Sequence, residues 1–370
     1  MCLTHFSCYI FSIFDKQSLY AMRWIFLFLL LLFPFLLFSQ DEPEPEALGD
    51  TIVTGVDLFE GDGPLDITLT FDIKKYQREK HKEGYIPVDL FFQVNDSFKV
   101  SKSVRVKSRG QFRKSHCHFA PFWLNIRKAK VANPYLQEVV KMKVVTHCKE
   151  SPAYEDYILT EYLAYRIYNI LSPLSFRVRL IKMKYVDTGR KDKHTEGWAF
   201  MIEPESMLAE RSGGLVIKND KVGMAHTRQD EILLATLFQY MIGNGDYSVA
   251  GRHNMKLLGM PDFGSKGYTP VPYDFDYSGL VDAYYAEPGE NLGVRSVTER
   301  YFLGPCADDE AYLKAIQYLE EHRDEILELV NTFPYLEEKV KSRVIAYIEQ
   351  YYIAAESSGF IEKKLRSTCR

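Results

Sequence analysis

The sequence predicts an α+β chain in two lobes, a β-rich one over 51–203 with one helix and a mostly helical one over 204–370. Three observations carry this expectation. Ile67, Leu69, Phe71 and Ile73 alternate with Asp66, Thr68, Thr70 and Asp72, the period of a half-buried strand. The period changes where Tyr154, Ile158, Glu161, Tyr165 and Tyr168 share one helical stripe. After Glu203 helical patterns dominate and end in long runs over 309–330 and 335–354 with charged outer faces.

The remaining elements follow in order. Residues 88–94, 103–107, 122–126 and 142–146 read as strands, 74–82 as a charged loop and 109–111 as a turn. Ser151 is the expected cap of the helix, and Pro152 takes its first position, where a missing N–H costs nothing. Strands over 177–186 and 197–202 are joined by a polar, hairpin-like connection. Residues 228–242 form an amphipathic helix, and 255–258 and 268–271 are short strands around a Gly/Pro loop. Aromatic residues make up 14% of the chain, which suits a well-filled, β-rich core.

The N-terminal region reads differently. Residues 25–38 are an apolar run broken only by Pro34, with Arg23 before it and Ser39-Gln40 after it. This pattern predicts a secretory signal peptide over 1–40, followed by an acidic, Pro-rich linker over 41–50. Met22, directly before Arg23, is an alternative start. The run is short for a spanning helix, so no stable membrane span is expected after cleavage; a retained anchor is the competing reading. Export to the periplasm, cell envelope or outside puts Cys117, Cys148, Cys306 and Cys369 where disulfides persist. Cys117 and Cys148 flank two predicted strands and are the first expected pair, with two separate buried thiols as the competing reading. His116, His118 and His147 lie near them, but no C-x-x-C or matching His spacing supports zinc. A net charge of −4 offers no basic field for nucleic acid.

The chemistry-bearing stretch begins where the 228–242 helix runs into Gly243-Asn244-Gly245-Asp246. Glycines there end the helix and deliver Asp246 to a loop. His253-Asn254 leads into the next strand, and a second strand delivers Tyr273-Asp274-Phe275-Asp276. Phosphoryl transfer needs such a set: one carboxylate for the attacking hydroxyl, and an Asn and an Asp for Mg²⁺. Mg²⁺ is a hard cation that prefers these oxygen donors. Glu161, a carboxylate on an apolar stripe, needs a cationic partner. Lys143, on the strand before that helix, is the expected one, ahead of Lys141 by position; Arg177 or Arg179 are structural alternatives. Gly110, in a basic turn with Arg105, Lys107, Arg109, Arg113 and Lys114, could approach phosphates. Glu203, between the predicted lobes, is where a nucleotide base could meet backbone groups.

Taken in order, these elements resemble a protein-kinase-like bilobal fold, and more narrowly the CotH (spore-coat kinase) family. The motifs are Arg105-Val-Lys-Ser-Arg-Gly110, Thr160-Glu161-Tyr-Leu-Ala164-Tyr, Gly197-Trp-Ala-Phe-Met-Ile-Glu203, Asp246 with His253-Asn254, and Pro272-Tyr-Asp274-Phe-Asp276. They span about half of the chain. The resemblance implies an ATP-dependent kinase that uses Mg²⁺ or Mn²⁺ and transfers the γ-phosphate to a protein hydroxyl in the cell envelope. It implies Asp246 as catalytic aspartate, Asn254, Asp274 and Asp276 as metal ligands, and Glu161 as the helix glutamate. Lys143, Glu161, Gly110 and Glu203 would form the nucleotide side. Asn254 follows Asp246 by eight residues, against five in eukaryotic-type kinases. Tyr273 stands where the family has Trp, and strand 122–125 lacks the family's lysine.

Plainer readings stand beside these. Asp246 and Asn254 also fit an Asx-type turn, Asp274 and Asp276 fit solvated loop carboxylates, and the 105–114 charges fit a solvated face. The competing function is a non-catalytic module on the same scaffold that binds an envelope protein or glycan. A further variant keeps ATP but transfers another group.

Overall fold

The computed structural model describes residues 58–61, 63–82, 84–95, 98–126, 141–218, 222–261, 267–289 and 292–370. The signal over 1–40, the start at Met22 and the linker over 41–50 lie outside the described residues. The described residues belong to one unit, Asp50–Arg370, of mixed α+β structure.

Seven strands form a closed barrel: β1 (Leu65–Phe71), β2 (Ile86–Asn95), β3 (Phe98–Ser108), β4 (Phe122–Asn125), β5 (Lys141–Thr146), β6 (Val178–Asp187) and β7 (Lys193–Ile202). Their order around the barrel is β1-β2-β3-β4-β5-β7-β6. Neighbours are antiparallel except β1 and β6, which run parallel from Leu65 opposite Ile181 to Phe71 opposite Asp187. That pairing joins the first and sixth strands and removes the free edges an open sheet would expose. Alternation in β1 puts Leu65, Ile67, Leu69 and Phe71 into the interior with Val88, Leu90, Val106, Met142 and Met183.

The first half holds more helix than the single one expected. Ile73, expected on the first strand, and residues 74–79, expected as part of a charged loop, form α1 (Ile73–Glu79). The Asp72 carboxylate accepts from the Lys75 amide and caps it, and Ile73 and Tyr76 turn inward. Helix α2 (Gln111–His116) follows the turn at Gly110. At 7 and 6 residues these helices are too short to show a helical period in sequence.

Helix α3 (Pro152–Leu171) starts at Ser151 as expected, although the serine side chain makes no cap bond. Its Ile158, Leu159, Tyr162 and Tyr165 pack on Val178, Leu180, Phe200 and Ile202 from the outer face of β6 and β7. The same hydrophobic cluster continues through Phe238, Phe275, Phe302, Tyr312, Ile348 and Tyr351, so one core runs across position 203.

Past Glu203 come α4 (Glu205–Arg211), a small sheet of β8 (Leu215–Val216), β9 (Met255–Gly259) and β10 (Thr269–Pro272), and α5 (Gln229–Met241). The run over 309–330 divides at His322 into α6 (Asp309–Glu321) and α7 (Arg323–Asn331). The His322 ring nitrogen Nδ1 bonds the Tyr318 carbonyl, which helix continuation would otherwise use. Helix α8 (Glu338–Ala355) and a short π-helical turn close the chain. No described helix is long and apolar enough to cross a membrane.

Cys117 pairs with Cys148, the pair expected first, and Cys306 pairs with Cys369. Beneath the first disulfide His147 is fully buried against Phe119 and Tyr185. Gly197 supplies the room, since a Cβ there would overlap the imidazole. Burial pulls its pKa down to about 4, opposed by the Trp198 backbone.

Candidate active site

The site is built on two short connections. The first leaves α5, where Gly243 adopts φ 65°, a conformation that ends the helix. A Cβ at Gly243 would overlap the Tyr347 hydroxyl, so glycine is needed for packing as well as for the turn. Asn244 is buried and joins the helix end to the loop. Its Nδ2 donates to Gln239 Oε1 at 3.0 Å, and its Oδ1 accepts from the Asp246 amide at 3.0 Å. The Asp246 carboxylate then meets His253 Nε2 at 2.8 Å and accepts from Asn254 Nδ2 at 3.0 Å. The same Nδ2 donates to the Asp246 carbonyl at 2.8 Å. Asp246 and His253 keep 38% and 57% of their side chains exposed, so the carboxylate is held yet open to an incoming group.

The second connection follows β10. Pro272 pairs with Met255 of β9, and the Tyr273 amide donates to the Asn254 carbonyl at 3.1 Å. Asn254 and Asp274 therefore leave the same end of one two-stranded pair. Both take left-handed backbone, with φ 48° and 64°. Such non-glycine conformations are uncommon and collect at functional sites. The Asp274 amide donates to the Tyr165 hydroxyl at 2.8 Å, which ties this connection to α3 one turn beyond Glu161.

Glu161, Asp274 and Asp276 present carboxylate oxygens within 4.8 Å of one another. Arginines neutralise them. Arg113 Nη2 lies 3.2 Å from Glu161 Oε2 and also pairs with Asp276 Oδ2. Arg109 lies 3.6 Å from Asp274. Tyr285 donates to Asp276 Oδ2 at 3.2 Å. Burial pushes Glu161 and Asp276 above the ordinary carboxylate range despite Arg113. Burial would also raise Asp274, but Arg109, Arg113 and Lys143 outweigh it and hold it below its usual value. Burial opposes the charge on Arg113, yet Asp276, Tyr285 and Glu161 push its pKa well up.

Lys143 is not the partner of Glu161. Its ammonium sits over the Tyr273 ring at 4.2 Å, with Trp123 at 5.7 Å, and burial, aided by Arg109, lowers its pKa to about 8. It remains beside Asp274, one of the charges acting on it. Lys141 is exposed at the strand start, near the Tyr85 ring. Neither alternative arginine meets Glu161 either. Arg177 pairs with Glu203 at 2.9 Å, and Arg179 donates to the carbonyls of Glu60 and Gly61. Glu203 is buried between Arg177 and Arg211, and its amide donates to the Arg177 carbonyl. Gly110 takes φ 81° at the head of α2 and so aims Arg113 at Glu161.

Sequence reading missed Arg113, Arg109 and Tyr285 as members of this cluster. The arginines stood in a charge run that resembles any solvated face. The one available signal was position: Arg113 lies between a turn glycine and Cys117, which anchors to Cys148 just before α3.

The donor set of Asp274, Asn254 and their neighbours is all oxygen, which suits Mg²⁺ or Mn²⁺. Glu161 Oε1 is buried without a hydrogen-bond partner, an unspent acceptor facing the cluster. A cavity of about 110 Å³ adjoins Asp246, walled by Gly245, Tyr277, Leu292, Val297 and Tyr301.

No family model matches the chain, and no curated protein does. Among solved structures it is similar to the crystal structure of a Helicobacter pylori proinflammatory kinase, CtkA. The TM-score is 0.37 at 10% identity, over 63% of this chain and 90% of that one, a likeness too slight to bear on fold or function.

Proposed function

We propose that this chain is an exported phosphotransferase of bilobal, protein-kinase-like architecture that moves the γ-phosphate of ATP to a protein hydroxyl. The observation that supports it most is that Asn254 and Asp274 leave the same end of β9 and β10, where the Tyr273 amide donates to the Asn254 carbonyl, with Asp246 bonded to Asn254. Phosphoryl transfer is mostly positioning and charge stabilisation, and these three residues have the required chemistry.

In this reading Asp246 accepts the hydrogen bond of the acceptor hydroxyl, which enters the adjoining cavity, and takes its proton as the phosphate transfers. His253 and Asn254 keep the carboxylate aimed. Asp274 and the Asn254 side-chain oxygen would hold a divalent ion, while Asp276, the further ligand expected, is paired with Arg113. A bound ion supplies charge neutralisation on the phosphate oxygens. Lys143 and Arg109, both over the Trp123 ring and beside Asp274, would be the cations to meet those phosphates. Gly110 marks the turn that would approach them, and the backbone at Glu203, just past β7, would meet the nucleotide base, its side chain being held by Arg177 and Arg211. The two disulfides agree with an oxidising compartment.

A second reading has its own observation. Glu161 and Asp276 are already neutralised by Arg113, and Lys143 does not meet Glu161. That favours a non-catalytic module for an envelope protein or glycan. The deciding experiment incubates the protein with γ-labelled ATP, Mg²⁺ or Mn²⁺ and a panel of protein acceptors. The proposal expects transfer that Asp274→Ala abolishes and Asp246→Asn strongly reduces. Absence of transfer and of any ATP-dependent thermal stabilisation in the wild type would leave the binding module.

A further inference from the structure

We propose that Arg113 divides the carboxylates of the site: it reserves Glu161 and Asp276 for a protein-only ion triad and leaves a divalent cation Asp274 and Asn254. The inference rests on the reading above only in supposing that a cation binds.

The three carboxylates are close enough to form a single metal cage. What distinguishes them is their present partners. Arg113 contacts Glu161 and Asp276 through one nitrogen, and the side chains are 9%, 1% and 9% exposed. A guanidinium does not lose its charge at any ordinary pH, so it is a permanent resident cation between them. Tyr285 closes the other side, its hydroxyl on Asp276 and its ring 5.7 Å from the guanidinium carbon.

Arg113 is also held from behind. Gly110 turns the chain out of β3, and the Cys117 amide donates to the Arg113 carbonyl at 2.9 Å. Cys117 is bonded to Cys148, and the amides of His118 and Phe119 both donate to the Cys148 carbonyl. Helix α3, which carries Glu161, begins at Pro152. The arginine and its glutamate thus stand on two segments clamped at a common point, and the arginine has little freedom to swing away.

Asp274 differs in each respect. Its side chain is 27% exposed, and its arginine stands off at 3.6 Å. Arg109 can leave toward a phosphate when a cation arrives, whereas Arg113 would have to break two buried pairs at once. The resident guanidinium therefore excludes the metal from Glu161 and Asp276 by pairing with Glu161 Oε2 and Asp276 Oδ2 and supplying like charge.

Mn²⁺ alone, titrated into the full chain and followed by electron paramagnetic resonance of the free ion, tests this. Wild type should bind Mn²⁺ at a site that Asp274→Ala removes and that Glu161→Gln changes by less than about twofold. Arg113→Met should gain a second Mn²⁺, or bind about tenfold more tightly, and Glu161→Gln in that background should cancel the gain. Arg113→Lys should keep the wild-type number. If Arg113→Met does not fold, the contrast between Glu161→Gln and Asp274→Ala decides alone. Equal loss in those two variants, or an unchanged titration for folded Arg113→Met, overturns the proposal. Should wild type bind no Mn²⁺ even with ATP, the phosphotransferase reading fails, and the Arg113→Met gain still decides this one.

Discussion

The two ends of the site hold their carboxylates in opposite ways. Asp246 is held by neutral amides and an imidazole in a half-open loop. Glu161 and Asp276 are held by a guanidinium in near-complete burial. The first arrangement costs little to break and leaves a carboxylate able to accept a proton. The second stores its energy in desolvated charge, so its parts cannot be removed singly without exposing the others. Chemistry belongs at the open end and rigidity at the dry end, and mutations should separate the two.

The largest expected effect is at the dry end. Arg113→Ala strands two buried carboxylates and should cost about 3–5 kcal/mol of stability by urea unfolding. A cost below that of an ordinary surface change would show that water reaches the triad and would erase the contrast.

Next is the clamp behind it. Cys117→Ser/Cys148→Ser opens a loop of sequence separation 31 and should cost about 3–4 kcal/mol. Cys306→Ser/Cys369→Ser, with separation 63, should cost slightly more by the same entropy. Only the first pair should alter Mn²⁺ binding, because only it anchors Arg113. Equal effects on Mn²⁺ from both pairs would mean that the clamp does not serve the site.

Acid probes the buried barrel side of that clamp through His147, next to Cys148. Its imidazole is neutral in the folded chain, with the pKa pulled from 6.5 to about 4, so the unfolded chain binds more protons between those values. Stability should therefore be complete above pH 6.5 and fall by up to about 3 kcal/mol as pH drops toward 4. His147→Phe should flatten that part of the unfolding profile; matching slopes in the two proteins would sink the assignment.

The smallest effect on stability belongs to the open end. Asp246→Asn should change unfolding by no more than about 0.5 kcal/mol while lowering transfer roughly 10²–10⁴-fold. A large loss of stability there would make Asp246 structural and reverse the comparison.

The open end was legible because its determinants are local. Helix, glycine, Asn244 and Asp246 follow one another, and two hydrogen bonds of the Asn244 side chain within a few residues position the carboxylate. Asn254 and Asp274 were legible too, since adjacent short strands in sequence pair in space. Strand alternation and the stripe on α3 likewise marked the barrel strands and Glu161. Helices α1 and α2 escaped because one or two turns leave no period to read.

By itself the sequence determined which residues could carry charge chemistry and on which local element each would stand, because period, caps and turn glycines act within a few residues. Only the tertiary structure decided which cation met Glu161. Lys143, Arg113, Arg177 and Arg179 were equally able to pair with it by charge, and their distances depend on how the barrel closes. That closure turns on the parallel contact of β1 with β6 and on the Cys117–Cys148 bond, both long-range events. Coulomb energy in a dry site is steep in distance, so whichever segment the fold brings nearest supplies the partner. The result sent Lys143 to Tyr273 and Asp274, and Arg113 to Glu161 and Asp276.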